Sequence, residues 1–227
     1  MHDPEKLAKE PVMSKEELSA THNINYATRL FPVNERKDIP ERWLNTPVED
    51  LILAHNFDKP ITSSGAPTLL IVTCIEYRFQ PQIPNMWAYM NRCAGGRLSG
   101  SEFSMSYILA KGVRHMALIG HNDCGMTKVL EYKPQLIDAL VGQGWARDRA
   151  EDFVEANSAR FMMTDEIDGQ KREFMRLKQL FRNIETAPLF VSIASMRLHI
   201  PKWYLEYLKE PAEIEPTRVM PEDLLML

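Results

Sequence analysis

The chain has 227 residues, 44% of them hydrophobic, and a formal net charge of -4. That length fills one good core, and the lack of a Lys/Arg block excludes nucleic acid as the main partner, because phosphate binding needs clustered cations. No run approaches the roughly 20 apolar residues of a membrane span, and the charged start MHDPEKLAKEPVMSKEEL lacks an apolar signal core, so no membrane partner and a cytoplasmic location are expected.

Residues 1–65 read as an N-terminal helical arm. Ser14 and Glu17 have capping-box spacing, and Leu18, Ala20, Tyr26, Leu30 and Phe31 give a partly apolar face. A second helical pattern spans 40–55, with Trp43, Leu44, Val48, Leu51, Ile52 and Leu53. These large side chains need a surface to cover, either their own domain or a partner subunit. Ser63, Ser64, Gly65 and Pro67 then turn the chain into the first strand.

Residues 66–210 read as an α/β domain. Strands are expected at 68–73, 86–91, 114–120 and 189–194, and helices at 101–111, 126–132, 134–141, 147–163 and 168–181. Strands separated by helices imply a mainly parallel sheet flanked by helices, with right-handed crossovers. Trp203, Tyr204, Tyr207 and Leu208 form a helical packing stripe. Residues 211–227, with three prolines, several acids and a Leu-Leu-Met-Leu end, form a C-terminal tail that builds no core alone.

The chemistry is expected where two buried runs end. TLLIVT stops at Cys74, and HMALIG stops at His121 with Cys124 three residues on. Ligands of open α/β sheets bind outside the carboxyl ends of strands, so neighbouring strands would bring two thiols and an imidazole together. Zinc takes those donors readily, and three protein ligands leave the fourth position open to water, as in catalytic sites. Glu76 and Arg78 follow Cys74 at spacings of two and four, so all three side chains can face one pocket. The guanidinium would keep Glu76 ionised and oriented; the bland alternative is a surface ion pair of little energetic value.

The combination of C-x-acid-x-R (Cys74, Glu76, Arg78), an R-x-A-G turn (Arg92, Cys93, Ala94, Gly95) and a strand ending GHxxCG (Gly120, His121, Cys124, Gly125) resembles the β-class carbonic anhydrases, most closely their compact prokaryotic branch. The likeness runs over roughly residues 66–195. It implies zinc held by Cys74, His121 and Cys124, a catalytic pair in Glu76 and Arg78, and a backbone N–H offered by Gly125 at a helix start. It further implies a Rossmann-like α/β sheet and a homodimer or larger homo-oligomer hydrating CO2 to bicarbonate through a zinc-bound hydroxide. Glu76 stands where that family has Asp, Cys93 and Gly96 stand where it has Asn, and its V-x-G segment near the last strand is absent. Two other readings stay open: hydrolysis of carbonyl sulfide or carbon disulfide at the same zinc, and a non-catalytic zinc-containing assembly or regulatory protein in which Glu76 closes the metal.

The remaining candidates have blander expectations. Three cysteines are too few for a disulfide framework, and Cys93 is expected as a small buried thiol. Asp123 is expected to cap the next helix. Met86, Trp87, Tyr89, Phe103, Met105 and Tyr107 are expected mostly in the core.

Overall fold

A computed structural model describes residues 26–62 and 65–209. In chain order it contains α1 (Tyr26–Arg29), β1 (Leu30–Pro32), α2 (Pro47–Phe57), β2 (Leu69–Thr73), β3 (Ala88–Arg92), α3 (Glu102–Ala110) and β4 (His115–His121). There follow α4 (Lys133–Gly142), α5 (Arg147–Phe161), α6 (Glu166–Leu180), β5 (Glu185–Val191), β6 (Leu198–Pro201) and α7 (Lys202–Lys209).

The strands form one six-stranded sheet in the order β1-β6-β5-β4-β2-β3. The four strands β3, β2, β4 and β5 are parallel, and β6 and β1 add to it antiparallel. Every residue of β2 is buried, which is why its sequence is continuously apolar rather than alternating. The register pairs Thr73 with Ile119 and with Arg92, so the ends of β2, β3 and β4 emerge at one edge. Gly120 lets that edge close up: a Cβ there would lie 3.1 Å from the Phe190 ring and 3.3 Å from the Gln170 amide.

The segment before β2 covers its own sheet. Val33, Trp43, Val48, Leu51 and Ile52 share one core cluster with Leu69, Ile71 and Leu118. The start of α2 is fixed by Thr46, whose hydroxyl accepts the Val48 N–H, and by Pro47 in the first turn. Trp43, fully buried, stacks on Tyr204 of α7 with ring centroids 5.1 Å apart, a pairing worth about 1 kcal/mol beyond its buried area. The buried Asn56 side chain donates to the Val33 and Leu198 carbonyls and accepts the Leu198 N–H, stitching α2 to β6.

Several elements differ from expectation. Leu30 and Phe31 belong to a strand, not a helical face; Phe31 precedes a proline, which disfavours the helical region, and pairs with Ile200. The last parallel strand begins at Glu185, earlier than 189, and takes in Pro188 opposite Leu118. A proline in a central strand forfeits a ladder bond and normally argues against one. No helix forms at 126–132: a single turn at Gly125–Thr127 ends at once, with the Thr127 hydroxyl donating to the Cys124 carbonyl. Met105 is core, whereas Met86, Phe103 and Tyr107 are exposed. The capping box at Ser14, the Ser63–Ser64 turn and the 211–227 tail lie outside the described residues. Among the described residues, no helix is long and apolar enough to cross a membrane.

Candidate metal centre

Cys74 is the first residue beyond β2, His121 the last of β4, and Cys124 opens the turn after it. Their ligand atoms all lie within 4.8 Å of one another, and all three residues are buried. The two sulfurs are 3.9 Å apart. A disulfide needs about 2.05 Å, whereas two thiolates on one tetrahedral zinc, each about 2.3 Å from it, sit about 3.8 Å apart.

The imidazole is oriented by its neighbour. His121 Nδ1 lies 2.9 Å from the Asn122 carbonyl, so Nδ1–H donates and Nε2 keeps its lone pair. That Nε2 is buried and has no hydrogen-bond partner. A buried polar atom without a partner calls for an explanation, and a metal ion beside two sulfurs is one this donor set fits. The Gly95 amide beside the Cys74 sulfur and the Met126 amide beside the Cys124 sulfur each favour the thiolate. Glycine serves at position 95 because its φ is +63°, in the left-handed region.

The electrostatics describe a pair that resists holding two protons or none. The hydrogen bond from the Cys124 thiol and the adjoining His121 ring outweigh burial and hold the Cys74 thiol down at about 4. The Cys74 thiolate, together with burial, pushes the Cys124 thiol far up. Burial disfavours the imidazolium, yet the Cys74 thiolate wins and raises the His121 pKa. A divalent cation held there would take the place of those protons, because metal binding couples to deprotonation of its ligands.

Glu76 and Arg78 form a closed fork. Oε1 of Glu76 accepts both the backbone N–H (2.8 Å) and Nε–H (2.7 Å) of Arg78, and Oε2 accepts the terminal guanidinium at 2.7 Å. That fork, against partial burial, lowers the Glu76 pKa. Oε2 lies 3.9 Å from His121 Nδ1, placing the carboxylate beside the imidazole. Arg78 also reaches Asp123 Oδ2 at 3.1 Å. Asp123 is therefore no helix cap: it occupies the left-handed region at φ 57° and pairs with the arginine. Gly125 is exposed at the start of its turn, with open space where a side chain would be.

Some holding residues had no role assigned from the sequence. Arg92 donates to the carbonyls of Cys74 (3.3 Å), Glu76 (3.1 Å) and Phe79 (2.8 Å), clamping the whole loop after β2. Asn122 Oδ1 accepts the Ile193 N–H at 2.8 Å. Glu166 Oε1 accepts the Cys124 N–H at 3.2 Å, and its Oε2 accepts the Tyr26 hydroxyl at 3.1 Å. Arg92 carried a local signal in its R-x-A-G turn. Glu166 carried only the acidic start of a helix, and Tyr26 none. Cys93 is mostly buried, and burial raises its thiol to about 12.

The isoform I β-carbonic anhydrase of Trichomonas vaginalis superposes with a TM-score of 0.50, at 20% identity over 72% of this chain and 98% of that one. The chain has the β-carbonic anhydrase fold. A carbonic anhydrase from Streptococcus mutans gives a TM-score of 0.47 at 17% identity, over 70% of this chain and 98% of that one. A carbon disulfide hydrolase in its apo form gives 0.45 at 15%, over 72% and 91%. No protein-family model matches the sequence, and no curated protein does. On the β-carbonic anhydrase fold, Cys74, His121 and Cys124 constitute a group able to hold a metal ion at the carboxyl edge of the parallel strands.

Proposed function

We propose that this protein is a zinc enzyme that hydrates CO2 to bicarbonate, with Cys74, His121 and Cys124 as the metal ligands. One observation carries the reading: two buried sulfurs 3.9 Å apart beside a buried imidazole nitrogen that no hydrogen bond satisfies. Bound there, zinc supplies the Lewis acidity that makes water nucleophilic near neutral pH.

The chain's own groups do the rest. Asn122 fixes the imidazole tautomer, and the Gly95 and Met126 amides steady the sulfurs. Arg78 holds Glu76 ionised, and Oε2 of Glu76, which accepts only the terminal guanidinium, keeps a lone pair to accept a hydrogen bond from the attacking water. Gly125, exposed at the start of its turn, would offer its backbone N–H to the product oxygen. The attack forms one C–O bond, opens one C=O π bond onto oxygen and releases one proton to buffer. With both Glu76 oxygens drawn to Arg78, the carboxylate serves that role rather than closing the coordination sphere.

The working form is a homo-oligomer in a reducing, cytoplasmic setting that keeps the cysteines as thiols. In support, Ile75 and Tyr77, which flank Glu76, are 62% and 76% exposed, and Phe103 and Tyr107 share an exposed helix face. A second copy seated over Ile75 and Tyr77 would cover apolar surface and wall the site mouth.

Stopped-flow CO2 hydration with the zinc-loaded protein tests the reading, with Cys124→Ser beside it. Catalysis by the wild type and its loss in the variant are expected. A zinc-loaded wild type that turns over carbonyl sulfide or carbon disulfide but not CO2 would move the reading to that substrate. No turnover of any of the three would remove the enzymatic reading.

A further inference from the structure

Two consecutive amides of the turn between His121 and Cys124 are gripped by side chains remote in the chain. The Cys124 N–H donates to Glu166 Oε1 at 3.2 Å. Glu166 Oε2 accepts the Tyr26 hydroxyl at 3.1 Å, and the Asp123 N–H donates to the oxygen of that hydroxyl. Amide, phenol, carboxylate and amide thus close one ring behind the metal centre.

The turn needs such a grip. Asp123 holds φ at 57°, a region an L side chain keeps only when its surroundings over-determine it. Relaxation there would swing Cys124, the next residue, away from Cys74 and His121. The grip is also costly to install. Glu166 is 3% exposed, and burying a carboxylate is unfavourable unless donors satisfy it. Its place at the first position of α6 helps, since a helix start favours negative charge. An apolar side chain would fill the same volume without desolvating a charge, so what the carboxylate adds is its hold on the donors.

We propose that Tyr26 and Glu166 are positioning residues for the metal centre, locking the Asp123 and Cys124 amides and thereby aiming the Cys124 sulfur. The inference rests on the metal-centre reading above. It makes α1, at the start of the described chain, part of the apparatus that sets metal affinity.

Titration of the metal-free full chain with Co2+, read by its ligand-field and sulfur charge-transfer bands and by chelator competition, tests this. Glu166→Ala should bind roughly 10- to 100-fold more weakly, the range for outer-shell changes, with displaced bands. Tyr26→Phe, which deletes a single oxygen, should move both readouts the same way by less. Glu166→Gln keeps an acceptor for the Cys124 N–H and should restore most of the affinity. Arg29→Ala is the control: Arg29 ties the same α1 to the same α6 through Asp165 and Asp168 without touching the turn. It should lower resistance to urea and leave the bands in place. Wild-type affinity and bands in both Glu166→Ala and Tyr26→Phe would overturn the proposal, as would Arg29→Ala moving the bands equally far. If Glu166→Ala does not fold, Tyr26→Phe decides alone. Cys124→Ser separates the two levels: if it binds Co2+ as the wild type does, or if the wild type binds none, the metal-centre reading falls and this proposal with it. If Cys124→Ser loses the bands while Glu166→Ala keeps them, only the positioning role falls.

Discussion

The two loops that build the centre are held in opposite ways. The loop after β2, from Cys74 to Phe79, hangs on Arg92, which donates to three of its carbonyls from the end of the neighbouring strand. The loop after β4, from His121 to Cys124, is held at each residue by something different: the Asn122 carbonyl, the Ile193 amide, Arg78, Tyr26 and Glu166. Arg78 spans the two, its fork on Glu76 and its other arm on Asp123. The carbonyls of one loop depend on a single side chain, whereas the other loop spreads its restraint over several elements.

The largest break comes from the ligands themselves. Cys74→Ser and Cys124→Ser should each weaken zinc by more than the roughly 100-fold that an outer-shell change costs, measured by chelator competition. Equal retention by both variants would mean that the loops do not share an ion.

Removing the clamp should separate the loops. Arg92→Ala leaves three carbonyls without their charged donor, and water recovers part of that loss, so a destabilisation of about 2 to 4 kcal/mol is expected, read from urea unfolding of the metal-free protein. Arg92→Lys should rescue little, because one ammonium cannot spread its donors across a loop as a planar guanidinium does. Asn122→Ala removes one restraint among several and should cost about 1 to 2 kcal/mol. A larger loss from Asn122→Ala than from Arg92→Ala would reverse the contrast.

The same contrast decides how much was legible in the sequence. Cys74, His121 and Cys124 stand out because buried parallel strands are continuous apolar runs, and each run halts at a ligand. Glu76 and Arg78 are legible because their partner is two residues away. Glu166 and Tyr26 are not, because the contacts that give them meaning cross 42 and 140 positions. The antiparallel edge of the sheet was hidden for a different reason. Strands β1 and β6 have only three and four residues, and each ends in proline, too short to show a period of two. The exposed Phe103 and Tyr107 were expected inside because aromatics at helical spacing mark a covered face; which chain covers it is not written in the spacing.

Within the first loop, Glu76→Asp tests whether the fork is built for the longer acid. Shortening by one methylene pulls the carboxylate back by roughly 1.5 Å, while Arg78 remains anchored to Asp123 at 3.1 Å. A misplacement of about 1 Å can cost on the order of 100-fold in rate, so kcat for CO2 hydration should fall by roughly 10- to 100-fold with zinc content unchanged. A faster Glu76→Asp enzyme would show that Arg78 follows the carboxylate rather than fixing it.

The smallest effect belongs to the second loop and comes from two opposing changes at one residue. Asp123→Gly relieves a left-handed φ of 57°, a gain of roughly 0.5 to 1 kcal/mol for a residue that adopts that region freely. It also deletes the ion pair with Arg78, whose side chains are 31% and 35% exposed, and a pair that open contributes about 0 to 1 kcal/mol. Glycine further enlarges the conformational freedom of the unfolded chain, which offsets part of the gain. Urea unfolding should therefore place Asp123→Gly within about 0.5 kcal/mol of the wild type. Asp123→Val loses the ion pair and adds a β-branched side chain where φ is positive, so it should be clearly less stable. If Asp123→Gly proved as damaging as Asp123→Val, the ion pair to Arg78 would be the chief restraint on this turn, and its hold would be no more distributed than that of its neighbour.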